Sequence, residues 1–235
     1  MIGLVIPVYG VSKAIAATAA EAIAAQAADL PDYASLVVVR NGGMRSCCAS
    51  PHASAVVDLP VNIGFTAAVN VGLRTARALG ADYYVVSSAD VFPPEGDWLQ
   101  PLMSDSMICA SEADSDAHCG HDGPCPFWGG MFAFPQALLD DVGYLPEAYT
   151  RIGDAAFAAR AATRGWAVTR SPMAVEHRHP HAANNAADPG GSVMSDEKAR
   201  LAREYSADLC GLLLEINGLT PFQRWERTRT YRGAP

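Results

Sequence analysis

The sequence predicts an α/β protein with a mostly parallel central sheet and helices packed on its faces. The first observation is a series of short apolar runs typical of buried strands, at residues 2–8, 36–39, 55–59 and 83–87. The second is that segments with helical spacing of apolar residues follow the first and third runs, as expected for parallel strands joined by helices. The third is size, because 235 residues, 50% of them hydrophobic, suffice for one large domain with a substantial core.

Local residues justify each element of the first half. Ser12 is the expected N-cap of a helix that runs to about residue 28. A second helix begins at Asn62, because apolar residues recur at helical spacing over residues 65–79. The fourth strand, residues 83–91, is an apolar and aromatic run that ends in one carboxylate, Asp90, and two prolines after it prevent the strand from continuing.

The second half has a less regular pattern. Polar residues at 111–126 predict a loop, and Gly165 is the expected C-cap of a helix that starts at residue 153. Short strands are predicted at 107–110, 127–134, 166–169 and 173–176, and helices at 98–103, 136–141, 153–163 and from Asp196 onward.

Composition excludes several classes of protein. The net charge of −8 argues against broad nucleic-acid binding, although arginines in the C-terminal tail suit contact with an anionic partner. No apolar run is long enough to span a membrane. Met1 leads directly into a strand pattern with no signal segment, so we expect a cytoplasmic protein. Six cysteines in a chain of this length suggest reduced thiols.

Polar residues gather at one predicted edge of the sheet. Right-handed crossovers align the ends of parallel strands, which would bring Tyr9, Arg40, Asn62 and Asp90 together. Open α/β sheets bind their ligands at this edge, so Asp90 is a candidate for chemistry. The alternative is that Asp90 only caps the turn that follows it.

Motifs spread over residues 1–180 carry a resemblance to a known family. They are Ile6-Pro7-Val8-Tyr9, Val37-Val38-Val39-Arg40-Asn41-Gly42, Asn62-Ile63-Gly64-Phe65, Ser88-Ala89-Asp90-Val91, Trp128-Gly129-Gly130-Met131, Gly153-Asp154-Ala155-Ala156-Phe157 and Val175-Glu176-His177. In order and spacing, these segments resemble the family 2 glycosyltransferases, which have the nucleotide-sugar-binding GT-A fold. The resemblance implies a GT-A domain over 1–180 (donor half 1–95, acceptor half 96–180), a mobile loop at 181–195, and a C-terminal helix and basic tail at 196–235.

The resemblance also implies an activity. It predicts a metal-dependent, inverting hexosyltransferase that moves a sugar from a nucleotide diphosphate sugar to a hydroxyl acceptor of unknown class. Asp90 and His177 would bind Mn²⁺ or Mg²⁺, with His179 as the alternative to His177. Asp154 falls on the position of the general base, and the alternative is that it only caps its helix.

Other residues would bind the substrates. The nucleotide-binding candidates are Pro7, Tyr9, Arg40, Asn62 and Asp90, and the candidates between donor sugar and acceptor are Trp128, Gly129 and Gly130. The family usually has Asp in place of Arg40, where it contacts a uracil or thymine ring. Arg40 has no acceptor atom and suits a guanine edge or a phosphate, so UDP-, GDP- and dTDP-type donors all remain open.

Departures from the family pattern keep two rival functions open. Ser88 replaces the first Asp of an Asp-x-Asp motif, and Gly153 and Ala156 replace acidic residues of the base motif, as in a non-catalytic nucleotide- or sugar-binding module. A sugar nucleotidyltransferase would need a basic, glycine-rich phosphate loop after the first strand, where only Gly10 and Lys13 are available.

One motif lies outside the resemblance. Cysteine and histidine residues concentrate at 109–125, in a spacing that fits no common zinc pattern. Either a structural zinc site or a polar loop with free thiols would explain this composition.

Overall fold

A computed structural model describes residues 1–10, 12–43, 51–112, 129–178 and 192–205. These residues form an eight-stranded sheet with α-helices on both faces. The strands are β1 (Ile2–Gly10), β2 (Ala34–Gly43), β3 (Ala55–Leu59), β4 (Tyr83–Ser87), β5 (Val91–Phe92), β6 (Met107–Glu112), β7 (Met131–Pro135) and β8 (Val168–His177). The helices are α1 (Lys13–Ala28), α2 (Phe65–Ala78), α3 (Gln136–Val142), α4 (Gly153–Thr163) and α5 (Ser192–Glu204), with a 3₁₀ turn at Gln100–Leu102.

The sheet is mostly parallel, which confirms the predicted fold class. Its strand order is β3-β2-β1-β4-β7-β6-β8-β5. The first four strands run parallel, whereas β7 is antiparallel to both β4 and β6. Strand β8 pairs in parallel with β6 and in antiparallel with β5. The carboxyl ends of β1, β2 and β4 therefore share one edge, as the sequence predicts for its polar residues.

Two apolar clusters pack on opposite faces of the sheet. Leu4 and Ile6 of β1 lie in the same cluster as Ile23 of α1, whereas Val5 lies with Leu73 of α2. This alternation follows from the twofold period of a strand, and it explains why β1 is a continuous apolar run rather than an alternating one. Full burial of each such side chain stabilises the fold by roughly 1.5–3 kcal/mol.

The predicted N-cap of α1 is confirmed. The Ser12 hydroxyl accepts a hydrogen bond from the Ile15 amide at 3.3 Å, which satisfies one of the free donors at the helix start. None of the helices within the described ranges has the length and apolar character needed to cross a membrane.

Two element boundaries in the first half differ from prediction. Helix α2 begins at Phe65 rather than Asn62, because Gly64 occupies its N-cap with φ +88° and Asn62 belongs to the preceding turn. Strand β4 ends at Ser87 instead of continuing to residue 91, because the chain turns at Asp90 and continues as the separate strand β5.

Two boundaries in the second half also differ. The predicted strands at 166–169 and 173–176 are one strand, β8. Ser171, which lies between the two predicted strands, is buried and donates a hydrogen bond to the Pro101 carbonyl at 2.8 Å, so its hydroxyl is satisfied inside the sheet. Helix α5 begins at Ser192 rather than Asp196.

Candidate functional site

The predicted metal ligands, Asp90 and His177, lie next to each other. His177 Nε2 is 3.3 Å from Asp90 Oδ1, and their side chains are 10% and 25% exposed. Backbone pairing creates this contact, because Val91 lies opposite His177 in the β5–β8 ladder and the Arg178 amide donates to the Asp90 carbonyl at 2.9 Å. Two residues 87 positions apart in the numbering are thus brought together by a two-residue strand.

The chemistry of this pair suits a divalent cation. A carboxylate and a neutral imidazole are both ligands that Mn²⁺ accepts, and Mg²⁺ accepts the carboxylate readily. Within the described ranges there is no group of three or more His, Cys, Asp or Glu side chains that could enclose an ion. Among the described residues, the pair offers two ligand atoms of the kind such a cation accepts, an aspartate oxygen and an imidazole nitrogen.

Helix α1 holds the turn that carries Asp90. Gln26 is fully buried, and its Nε2 donates to the Val91 carbonyl at 2.8 Å and to the Ser88 carbonyl at 3.4 Å. These carbonyls stand on either side of Asp90, so one amide fixes both ends of the turn. We did not predict this role, although Gln26 is the polar member of the buried face of an alanine-rich helix.

The predicted base, Asp154, lies in the first turn of α4 against the backbone of Gly129. A Cβ atom built on Gly129 would overlap Asp154 Oδ2 and lie 2.6 Å from Asp154 Cγ. Only glycine therefore leaves room for the carboxylate in this position. Farther along α4, the Phe157 ring packs on Phe134 of β7, with centroids 5.0 Å apart, which anchors the helix to the sheet.

Burial makes the Asp154 carboxyl a weaker acid than an exposed aspartate. The cost of desolvating its carboxylate raises its pKa to about 6, and the negative charge of Glu197 adds to the rise. Hydrogen bonds from backbone amides of Asp154 and Ala155 oppose this change without cancelling it. The helix dipole favours ionisation of a carboxylate in the first turn, but the cost of burial outweighs it.

Asp154 and the Asp90–His177 pair are linked through the two glycines that precede β7. The Ser88 amide donates to the Gly130 carbonyl at 2.7 Å, just before Asp90 in the chain. Gly129, the preceding residue, contacts Asp154. A series of neighbouring contacts through Gly129, Gly130 and Ser88 thus joins Asp154 to the Asp90–His177 pair.

A buried glutamate from α5 supports the segment that leads into α4. The Glu197 carboxylate accepts hydrogen bonds from the amides of Thr150, Arg151 and Ile152 at 2.5, 2.9 and 3.1 Å. It also accepts one from the Thr150 hydroxyl at 2.7 Å. We did not predict this cluster, since the partners lie at least 45 residues apart and no local motif connects them.

The nucleotide-binding candidates lie at the ends of β1 and β2. Arg40 forms a two-point ion pair with Asp58, its neighbour across β2 and β3, with N–O distances of 2.6 and 2.7 Å. Pro7 is buried within β1, and Tyr9, near the end of that strand, is partly exposed. A ligand at this edge would therefore meet Arg40 already paired with Asp58. This ion pair was not predicted from the sequence.

Asn62 is held in a hydrogen-bonded turn at the same edge. Its Oδ1 accepts from Asn41 Nδ2 and from the Gly64 amide, both at 2.9 Å. Gly42, with φ +73°, passes so close that an added Cβ would lie 2.5 Å from the Asn62 nitrogen. The turn between β3 and α2 therefore packs tightly against the end of β2 before any ligand binds.

Several candidates lie outside the described residues. Trp128, His179, residues 181–191 of the predicted mobile loop and the basic tail belong to this group. The rest of that loop prediction, residues 192–195, is wrong, because these residues form the first turn of α5. So do most residues of the cysteine and histidine motif; its first member, Cys109, is fully buried in the apolar core through β6.

Comparison with known proteins identifies the fold. No protein-family model matches the chain, and no curated protein matches it. Among solved structures, it is similar to the mannosyltransferase PcManGT from Pyrobaculum calidifontis in complex with GDP-Man and Mn²⁺. That match has a TM-score of 0.67 and 16% identity, and it covers 100% of this chain and 76% of that one.

Two further structures give the same result. The chain is similar to S. aureus TarS (TM-score 0.59, 16% identity, 96% of this chain and 44% of that one). It is also similar to GalNAc-T7 with UDP, GalNAc and Mn²⁺ (TM-score 0.59, 10% identity, 75% of this chain and 43% of that one). The chain thus spans less than half the length of these two proteins. Its fold is that of the GT-A glycosyltransferases.

Proposed function

We propose that this protein is a metal-dependent, inverting glycosyltransferase of family 2, transferring a hexose from a nucleotide diphosphate sugar to a hydroxyl acceptor. The observation that carries the proposal is the connected arrangement of an Asp90–His177 pair and a buried carboxylate, Asp154, at the ligand-binding edge of a GT-A sheet. A binding module needs neither a buried base nor a glycine that makes room for it.

The donor would bind on the side of Asp90 and His177. These residues would hold Mn²⁺ or Mg²⁺, and such an ion neutralises the charge that develops on a diphosphate leaving group. Support comes from the two similar structures, PcManGT and GalNAc-T7, that contain Mn²⁺ together with a nucleotide. Gln26 and the β5–β8 ladder fix the pair before ligand arrives, so little ordering is needed on binding.

Asp154 would remove the proton from the acceptor hydroxyl. With a pKa of about 6, the carboxylate is mostly ionised at neutral pH, yet it is a stronger base than an exposed aspartate. A positioned base of this kind contributes ~10²–10⁴-fold to the rate. Attack on the face opposite the nucleotide inverts the anomeric centre, which is the outcome that the family resemblance implies.

The Arg40–Asp58 pair favours a GDP-type donor. The pair lies at the end of β2, where the resemblance places the nucleotide base. Guanine offers acceptors at O6 and N7 and donors at N1 and N2, which complement a guanidinium beside a carboxylate. PcManGT, which was solved with GDP-Man, supports this choice, whereas GalNAc-T7 was solved with UDP.

Thermal shift tests the donor site directly. The purified protein is heated with GDP, UDP or dTDP, each with and without Mn²⁺. We expect GDP with Mn²⁺ to raise the melting temperature of the protein most. A ligand at a hundred times its Kd adds about 2.7 kcal/mol to the free energy of unfolding, which is enough to detect. Stabilisation by UDP alone would refute the role of Arg40, and no stabilisation by any nucleotide would refute the transferase proposal.

A further inference from the structure

We propose that Glu197 is a positioning residue for Asp154: its buried carboxylate fixes the turn at 150–152 from which α4 begins. This inference rests on the proposed function, in which Asp154 is the base. It assigns to the C-terminal helix α5 a part in catalysis although no residue of α5 belongs to the predicted site.

Glu197 holds the backbone immediately ahead of α4, where the N-cap residue offers no side-chain acceptor. Ile152 occupies the N-cap of α4, and its side chain has no oxygen with which to satisfy the free amides of the first turn. Glu197 accepts hydrogen bonds from the amide of Ile152 and from the two amides before it. A carboxylate near a helix N-terminus is also favoured by the helix dipole, and hydrogen bonds to a charged acceptor are the stronger kind.

The turn is held from α2 as well. The Phe65 amide donates to the Thr150 carbonyl at 3.1 Å, and the Thr66 hydroxyl donates to the Tyr149 carbonyl. Gly153 packs so closely on Thr66 that an added Cβ would lie 2.8 Å from the Thr66 Cβ. Contacts from both α2 and α5 thus hold the turn at 150–152, and loss of the contacts from α5 would allow the turn to shift.

A shift of the turn moves the base. Asp154 follows Ile152 by two residues, and its carboxylate has no spare room beside Gly129. Displacing a catalytic group by about 1 Å costs on the order of 10²-fold in rate. The hydrogen bonds of Glu197 are therefore expected to affect kcat more than donor binding, because in the proposed function the donor binds beside Asp90 and His177.

Glu204 lies on the same helix as Glu197 and has partners of its own. On the same helix, Arg200 Nε pairs with Glu204 at 2.7 Å, and the Tyr149 hydroxyl donates to Glu204 at 2.6 Å. Glu204 thus touches the same region of the chain through a side chain, without bonding to any amide ahead of α4. It provides a matched control for Glu197.

The test compares Glu197→Gln with Glu204→Gln in the full chain. We expect Glu197→Gln to lower kcat on the order of 10²-fold, with donor KM and the thermal shift by Mn²⁺ and nucleotide within about twofold. Glu204→Gln is expected to keep kcat within about twofold, since exposed pairs contribute little. Equal kcat values for two folded variants would overturn the proposal.

A milder variant keeps the test decisive if Glu197→Gln does not fold. Thr150→Val keeps the shape of the side chain and removes only the hydroxyl that donates to Glu197 at 2.7 Å. We expect kcat to fall by about threefold to tenfold, less than in Glu197→Gln, because the three amide hydrogen bonds to Glu197 remain. An unchanged kcat in Thr150→Val would count against the positioning role.

A second readout does not require turnover. Carbon-13 NMR titration of the Asp154 carboxyl measures its pKa in the wild-type protein and in each variant. Because the charge of Glu197 raises this pKa, Glu197→Gln should lower it, whereas Glu204→Gln should leave it unchanged. If the wild-type protein transfers no sugar, the proposed function fails, and this titration still decides whether Glu197 controls Asp154.

Discussion

The two halves of the site are held in different ways. Asp90 and His177 are brought together by backbone pairing between β5 and β8 and by one buried amide, Gln26. Asp154 depends on side chains and on space: a glycine that yields room and a glutamate on another helix that fixes the preceding turn. Asp90 and His177 should therefore tolerate substitutions around them, whereas Asp154 should be sensitive to small changes in packing.

The largest effect is expected from removing the base. Asp154→Asn keeps the shape of the side chain but cannot accept a proton, so we expect kcat to fall ~10²–10⁴-fold while nucleotide binding persists. Asp105→Asn, an exposed aspartate remote from α4 in the sequence, is the control and should retain full activity. Full turnover by a folded Asp154→Asn protein would show that Asp154 only caps its helix.

The pH dependence gives a second check on the same carboxylate. Since Asp154 works as a base when ionised and its pKa is raised to about 6, kcat/KM should rise through pH 6 and level off above it. An exposed aspartate would place this rise near pH 4. A rise centred near pH 4 in the wild-type profile would contradict the raised pKa.

Filling the space beside the base is the next largest change. The added methyl of Gly129→Ala would overlap Asp154 Oδ2, so we expect kcat to fall on the order of 10²-fold as the carboxylate is displaced. Metal-dependent nucleotide binding should survive, because Asp90 and His177 do not touch this methyl. Steady-state kinetics beside thermal shift with nucleotide and Mn²⁺ separates the two effects. Equal loss of both would show that the halves are not independent.

On the metal side, His177→Ala should raise the Mn²⁺ requirement more than it lowers kcat. Substitution even of residues that only orient metal ligands costs about 10–100-fold in metal affinity, and loss of a ligand should cost at least as much. The Mn²⁺ concentration for half-maximal activity is the measurement, with saturating Mn²⁺ expected to restore much of kcat. An unchanged Mn²⁺ dependence would remove His177 from the site.

The smallest change is expected from Gln26→Met. The substitution preserves size but removes the side-chain donor to the Val91 carbonyl and one of the donors to the Ser88 carbonyl, which costs about 1–3 kcal/mol of stability. We expect a lower melting temperature and a several-fold weaker response to Mn²⁺, with kcat at saturating metal close to wild type. Glu21→Gln, an exposed change on the same helix, should alter neither property.

Sequence alone was enough for the parallel half of the sheet. The runs in β1, β2 and β4 are continuous and apolar because each strand is covered on both faces, and that pattern is local. The strands predicted at 166–169 and 173–176 are one strand, β8, in which buried Ser171 is satisfied by a carbonyl 70 residues away that no local pattern reveals. A buried polar residue does not interrupt a strand when another segment of the chain satisfies its hydrogen bond.

The residues of the candidate site also differ in whether a local sequence pattern could predict them. Asp90, His177 and Asp154 could be proposed because each lies in a short motif with a recognisable neighbour. Gln26, Asp58 and Glu197 could not, because their roles arise from hydrogen bonds and ion pairs between distant segments. The raised pKa of Asp154 was also beyond a sequence argument, since it depends on burial that only the folded chain creates.

The most direct test of glycosyltransfer is the release of nucleotide diphosphate from a nucleotide sugar, measured with and without Mn²⁺. Wild-type protein is incubated with GDP-, UDP- and dTDP-linked hexoses, with water or an added hydroxyl compound as acceptor. The account predicts Mn²⁺-dependent release of GDP from the GDP-linked sugar, abolished in Asp154→Asn. Nucleotide binding without release from any of these donors would contradict it and establish a non-catalytic binding module instead.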